Sequence, residues 1–265
     1  MICRHNNCLW GLTILGLILT LSIAAPWITR YDPDALTAPA ETRYLPPSWQ
    51  HFFGTDQFGR DVCARVLHGG RLSLGVALAV VFGAVFFGSL YGAIAGYCGG
   101  MWDQLLMRLV DMMLAFPIVF LATTLMAIFG TGLKWLVLIL MLTSWMDVAR
   151  VVRAEILALK TRPFILKARA AGLNAWRLLF RHLLPNTFAA IAAIAVLRVA
   201  DVILIESALS FLGLGVQPPT ASWGTIINDG KALLATAWWI TAFPGLAIVV
   251  TVLSVHQIGE GLQHR

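Results

Sequence analysis

Charged side chains inside apolar stretches are where this chain could do chemistry. Asp111, Asp147, Arg198, Asp201 and Glu206 interrupt long hydrophobic runs, and an ion at membrane depth is costly enough to call for a partner or a role. Arg108 with Asp111, Asp147 with Arg150 and Arg198 with Asp201 each stand three residues apart, a spacing that lets both members meet along one helix. Glu206 has no such neighbour. It is the strongest candidate, ahead of Asp111 and Asp201, for a polar group that lines a pathway or touches a partner. No catalytic constellation accompanies these residues. The six histidines do not cluster at ligand spacing, and neither an H-E-x-x-H run nor a Ser/His/Asp set is present. The nearest approach to a phosphate-binding loop runs from Gly224 to Gly230-Lys231-Ala232. It carries one residue too many between its glycines, and Ala where Ser or Thr should hold magnesium. The reading is therefore no catalytic residue, no metal site and no cofactor held by this chain.

A second concentration of charge lies between Arg150 and Asn186, RVVRAEILALKTRPFILKARAAGLNAWRLLFRHLLPN. Arg150, Arg153, Lys160, Arg162, Lys167, Arg169, Arg177 and Arg181 stand there against Glu155 alone, about +7, while the whole chain carries +6. Such a segment cannot lie in hydrocarbon, and by the positive-inside rule it marks a cytoplasmic face.

The elements that must position these residues follow from composition. Of 265 residues, 59% are hydrophobic and 12% charged, with a mean hydropathy of +0.80. Soluble domains carry about 25% charged residues, so most of this surface must meet lipid, and the fold class is an all-α polytopic membrane protein. Stretches near the roughly 20 residues that cross a bilayer fall at 9–28, 72–98, 106–129, 134–155, 186–209 and 236–258. Six spans put both termini, with Arg4 and Arg265, on the cytoplasmic side with the basic island. Segments 29–71 and 210–235 then face outward, and the first of these balances five arginines with five acids. The first span reads as uncleaved, since Ile23 and Pro26 flank the only small-residue cleavage region poorly. The chain divides into 1–71, a span plus an extracytoplasmic segment, and 72–265, a core of five spans with a coupling element at 156–185.

Local signals refine this. Gly75, Ala79, Gly83, Gly88, Gly92 and Gly96 mark the second span with small residues that let helix backbones approach closely, for packing within one bundle. Pro117 and Pro244 should kink the third and sixth spans. Residues 59–67 suit a short amphipathic surface helix with Arg60 and Arg65 snorkelling, and 210–235 reads as an ordered re-entrant or capping loop. Cys3, Cys8, Cys63 and Cys98 show no C-x-x-C pairing and read as unpaired structural thiols.

Within the island the residues reach a known pattern. The permease subunits of bacterial ABC importers carry a motif of the form E-A-A-x3-G-x9-I-x-L-P. On this chain its spacing places Gly172 as the glycine, His182 at the Ile position and Leu184-Pro185 at the end. The text ARAAG…FRHLLPN resembles the version in the dipeptide, oligopeptide and nickel permeases. GTDQFGRDVCARVLHGGRLSL, RLVDMMLAFP, SALSFLGLGVQPPTASWG and FPGLAI are similar to that group in the same order, over nearly the whole chain. Leu166-Lys167-Ala168 stands where the family often has Glu-Ala-Ala, so the acidic residue is missing.

The resemblance implies an ABC importer permease fold and no enzymatic activity in this chain. It implies a second permease subunit as heterodimer partner, two ATPase subunits that bind ATP and magnesium, an extracytoplasmic substrate-binding protein and an inner-membrane location, without nucleic acid. Leu166, Lys167, Ala168, Arg169, Ala170, Ala171, Gly172, His182, Leu184 and Pro185 become the ATPase-coupling residues. The implied cargo is a dipeptide, an oligopeptide, nickel or a metal–chelator complex, and the rival reading is an ion-coupled carrier working without an ATPase. The physics of the element agrees with coupling. Ala168, Ala170 and Ala171 favour helix, Gly172 allows a sharp turn, and Trp176, Leu178, Leu179 and Phe180 form an apolar ridge among cations.

Overall fold

The computed structural model describes residues 6–35 and 40–263; Arg4, Arg265, Cys3, His5 and His264 lie outside them. Among the described residues the chain forms eleven α-helices. They are α1 (Asn6–Ile28), α2 (Val62–Cys98), α3 (Gly100–Leu114), α4 (Ile118–Phe129), α5 (Leu133–Lys160), α6 (Pro163–Ala170), α7 (Ala175–Leu178), α8 (Leu184–Asn186), α9 (Phe188–Phe211), α10 (Trp223–Gly230) and α11 (Trp239–Gln263). Five of them are long and apolar enough to cross a membrane, and α3 with α4 makes a sixth span if the bent pair counts as one.

That sixth span corrects the expectation of a kinked helix. The axes of α3 and α4 meet at 83°, a full break. Proline disfavours helical backbone at the residue before it and cannot continue the hydrogen-bond ladder. Accordingly α3 ends at Leu114, and Pro117 adopts an extended ψ of 126° as the cap of α4. Pro244, by contrast, lies within an uninterrupted α11.

The second correction concerns α2. Its 37 residues make a rod of about 55 Å, against a hydrocarbon core of roughly 30 Å. The amphipathic stretch assigned to a separate surface helix is the first turns of this rod, and residue 71, where the sequence reading divides the chain, lies inside it. Asp61 starts the helix as its N-cap, accepting the Ala64 N–H at 2.7 Å. A third correction is covalent: Cys8 is disulfide-bonded, while Cys63 and Cys98 are free thiols. A bridge depends on Cα separation and not on a C-x-x-C spacing.

The bundle is built on α2. It packs chiefly against α5, with α9 and α1 also on its flanks, while α1 and α9 both lie against α11. The glycine stripe explains the α2–α5 contact. A Cβ at Gly88 would stand 2.5 Å from the Trp145 carbonyl oxygen, and one at Gly92 2.3 Å from that of Ala149. Two apolar clusters result. The larger fills the bundle around Val80, Leu136, Leu140, Ile203 and Trp223. The smaller, around Val152, Ile156, Ile165, Leu178 and Leu183, sits at the basic end.

Candidate functional site

At the basic end α5 runs out through Lys160, turns at Thr161 and restarts as α6, with Pro163 in the first helical turn, where a missing N–H costs nothing. The end of α6 is fixed with equal care. Gly172 has φ +76°, its N–H donates to Arg169 O at 3.0 Å, and the Leu173 N–H reaches Ala168 O at 3.3 Å. These are the two bonds of a Schellman cap, which needs a residue with positive φ. Asn174 then caps α7 by accepting the Trp176 N–H. Over Leu179–Leu183 the helix widens into a π turn. It leads into Pro185, whose ring crowds the carbonyl four residues back.

This elbow has two faces. Ile165, Leu178, Leu179 and Leu183 are buried against α2 and α5. Leu166, Lys167, Arg169, Ala170, Ala171, Gly172 and Pro185 are exposed, and Ala168, His182 and Leu184 half-buried. The apolar ridge of the sequence reading therefore splits: Leu178 and Leu179 turn inward, while Trp176 and Phe180 stack outward with centroids 5.4 Å apart. Their i,i+4 spacing puts them on one stripe.

The island's cations divide the same way. Arg153 grips Asp103 of α3 with both arms, Nε–Oδ1 2.8 Å and Nη2–Oδ2 2.6 Å. Lys160 donates to the carbonyls of Gly96 and Tyr97 at the end of α2, where a cation suits the helix dipole. Arg150 pairs with Asp111. Arg162, Lys167, Arg169, Arg177 and Arg181 are exposed and form no ion pair among the described residues.

The intramembrane charges are partnered across helices more than along them. Arg198 bonds Asp147 of α5 at 2.8 Å and, as expected from spacing, Asp201 at 3.4 Å. The pairs Asp147–Arg150 and Arg108–Asp111 do not form; Arg150 takes Asp111 instead. Asp147, Arg198 and Asp201 line one cavity of about 420 Å³ beside the α3–α4 break, whereas Asp111 lies outside its wall. Glu206 is elsewhere again. It is 0% exposed and accepts hydroxyl hydrogen bonds from Ser73, Ser207 and Ser210. It has local partners after all, and it sits inside the bundle, outside the lining of that cavity. The loop resembling a phosphate cradle is a buried helix start: Gly224 packs against Ser207 and Ser210, under a capping box formed by Ser222 and Thr225.

The opposite end holds a cluster that the sequence reading missed. Asp56 Oδ2 takes Arg60 Nε at 2.7 Å and Arg65 Nη1 at 2.8 Å, and Asp229 Oδ2 reaches the same two guanidinium groups at 3.3 and 2.9 Å. Asp56, Arg60 and Arg65 are buried, so the arginines do not snorkel. They pin the start of α2 to α10. Adjacent Thr55 accepts the Trp239 indole N–H on its carbonyl oxygen at 3.1 Å, which ties the same loop to α11. The sign balance of 29–71 held part of this signal, since Asp56, Arg60 and Arg65 pair within that segment, whereas Asp229 lies far outside it.

Comparison with known proteins meets this geometry. Residues 88–265 match the family described as binding-protein-dependent transport system inner membrane component, and residues 2–47 match the N-terminal TM domain of oligopeptide transport permease C. The chain belongs to this permease family. A putative peptide transport system permease protein of Brucella abortus is 38% identical over 260 residues, covering 98% of this chain and 87% of that protein. The dipeptide transport system permease protein DppC of Alkalihalophilus pseudofirmus is 40% identical over 260 residues, with 98% and 85% covered. A putative peptide permease protein of Brucella suis reaches 41% over 263 residues, with 98% and 86% covered.

The permease is thus a multi-pass membrane protein of ABC-importer type. The stretch matched to its family begins at Gly88 and takes in both the elbow and the charged cavity. The Asp56–Asp229 lock spans the boundary of that stretch, joining a residue outside it to one inside.

Proposed function

We propose that this chain is the second permease subunit of an ATP-driven peptide importer in the bacterial inner membrane, with both termini and the elbow in the cytoplasm. Its partners are a second permease subunit, two ATPase subunits that bind ATP and magnesium, and an extracytoplasmic substrate-binding protein. The single observation that carries the reading is the two-faced elbow. A docking element has to be rigid below and open above. This one is buried on α2 and α5, capped at each turn, and presents Leu166, Lys167, Arg169 and Gly172 with the Trp176–Phe180 stack outward. A motor gripping that face would move α5 and α9 together as a rigid body. The missing acid at Leu166-Lys167-Ala168 leaves an apolar and cationic contact, which suits an acidic or aromatic groove on the motor.

Peptides are the proposed cargo because the relatives are named for peptide and dipeptide transport; nickel and metal–chelator complexes are the competitors. The test is reconstitution in liposomes with the second permease, the ATPase subunits and the loaded binding protein, comparing labelled dipeptide with labelled nickel. ATP-dependent dipeptide uptake that vanishes without the ATPase subunits is the expected result. Uptake by this chain alone under an ion gradient would establish the ion-coupled carrier instead, and uptake of nickel alone would overturn the cargo.

A further inference from the structure

The cavity beside the α3–α4 break is lined mostly by apolar side chains, with Thr143 and three charged groups as its polar members. Phe116, Pro117, Met146 and Leu204 form its walls, and Asp147, Arg198 and Asp201 are its charged groups. All three lie near the middle of α5 or α9, the depth at which an ion is most costly. Two carboxylates against one guanidinium leave the group one negative charge in excess. Arg198 is spent closely on Asp147 at 2.8 Å and only loosely on Asp201 at 3.4 Å, whose side chain is 43% exposed. The excess charge therefore sits on Asp201, facing the cavity with acceptor capacity unused. An ammonium group, with three donors and a full positive charge, is the complement of that site. A cavity of about 420 Å³ falls in the range that encloses small ligands, roughly 300–1,000 Å³.

Resting on the peptide-importer reading above, we propose that Asp201, held beside Arg198 and Asp147, is a subsite on the transport pathway that takes the free α-ammonium of a short peptide in transit. The apolar walls accept the side chains, and the break at Pro117 shapes the opening. Arg198 positions the two carboxylates, bonding Asp147 at 2.8 Å and Asp201 at 3.4 Å.

The experiment uses the complete reconstituted importer with saturating, pre-loaded binding protein, so that capture does not enter the rates. Uptake of a labelled dipeptide with a free N-terminus is compared with that of its N-acetylated form, in the wild type, Asp201→Asn and Asp201→Glu. A charge-assisted hydrogen bond corresponds to about a tenfold effect. Asp201→Asn should lower the free-to-acetylated uptake ratio about tenfold relative to wild type, and Asp201→Glu should restore at least half of it. An unchanged ratio in Asp201→Asn, with both peptides transported, overturns the subsite and leaves the peptide-importer reading intact. Equal losses for both peptides, together with weaker co-purification of the subunits, make the triad a structural tie only, which also overturns it. If wild-type importer moves neither peptide, the importer reading fails and takes the subsite with it.

Discussion

Glu206 Oε1 stands 2.8 Å from Ser210 Oγ one turn further along α9, while its other oxygen takes the Ser73 hydroxyl of α2 at 3.1 Å. Ser73 Oγ also accepts the Trp223 N–H at 3.3 Å, so one carboxylate organises the meeting of α2, α9 and α10. A polar group without surface acts on assembly before it acts on transport. Glu206→Leu removes every acceptor and strands the serine hydroxyls in an apolar core, which should cost roughly 3 kcal/mol. Glu206→Gln keeps one acceptor oxygen and should cost nearer 1 kcal/mol. Thermal unfolding of the purified complex in detergent reads both. A Leu variant that melts with the wild type would show that the serine knot contributes nothing to stability.

The α2–α5 seam offers a contrast between two glycines of one stripe. Gly92 meets the backbone of Ala149, with carbonyl oxygen and carbon 2.3 and 3.0 Å from a built Cβ, whereas Gly75 has nothing within 4 Å and is exposed. Backbone cannot rotate away as a side chain can, so Gly92→Val must push the helices apart, at about 3 kcal/mol or more. Gly75→Ala adds a better helix former in open space and should be neutral or stabilising by up to about 1 kcal/mol. Protease resistance of membrane-inserted protein is the measurement: faster cleavage for Gly92→Val and none for Gly75→Ala. Equal behaviour of the two variants would mean that the seam is looser than these distances state.

Periodicity and composition made the spans legible because each must satisfy its own backbone in lipid, and the chain at 134–155 or 186–209 has no other way to do so. The elbow was legible for a local reason: Gly172 and Pro185 dictate backbone geometry wherever they stand. What stayed hidden was pairing between distant segments. Arg60 and Arg65 carry the pattern of a surface helix; Asp56 pairs with both nearby, and Asp229, more than 160 residues away, completes the buried lock to α10. Arg150 and Arg198 each had an acid three residues off, yet the bundle gave Arg150 to Asp111 and let Arg198 reach across to Asp147. Sequence spacing records what one helix can do by itself, whereas Coulomb pairing is settled by which helices are neighbours. Pro117 shows the same limit, since a proline announces a fault in a helix without stating whether it will open by a few degrees or by 83°.

Gly172 separates backbone from contact in the coupling reading. A Cβ at this position meets no atom within 4 Å, and φ is +76°, so any loss on substitution comes from conformation or from the docking partner, never from crowding within this chain. If conformation governs, variants should rank by tolerance of left-handed backbone. Asn visits it readily, while other side chains carry a penalty of about 1–2 kcal/mol, steeper for bulky ones. Gly172→Asn should then keep at least half of ATP-driven uptake, Gly172→Ala should fall between, and Gly172→Leu should lose tenfold or more while membrane insertion and subunit abundance stay normal. Uptake and transport-coupled ATP hydrolysis, measured on the same vesicles, check the ranking. If Asn, Ala and Leu all abolish uptake alike, the motor needs a bare surface at this point, and the Schellman cap matters only for displaying it. If the Leu variant imports at the wild-type rate, the elbow does not couple ATP hydrolysis to transport.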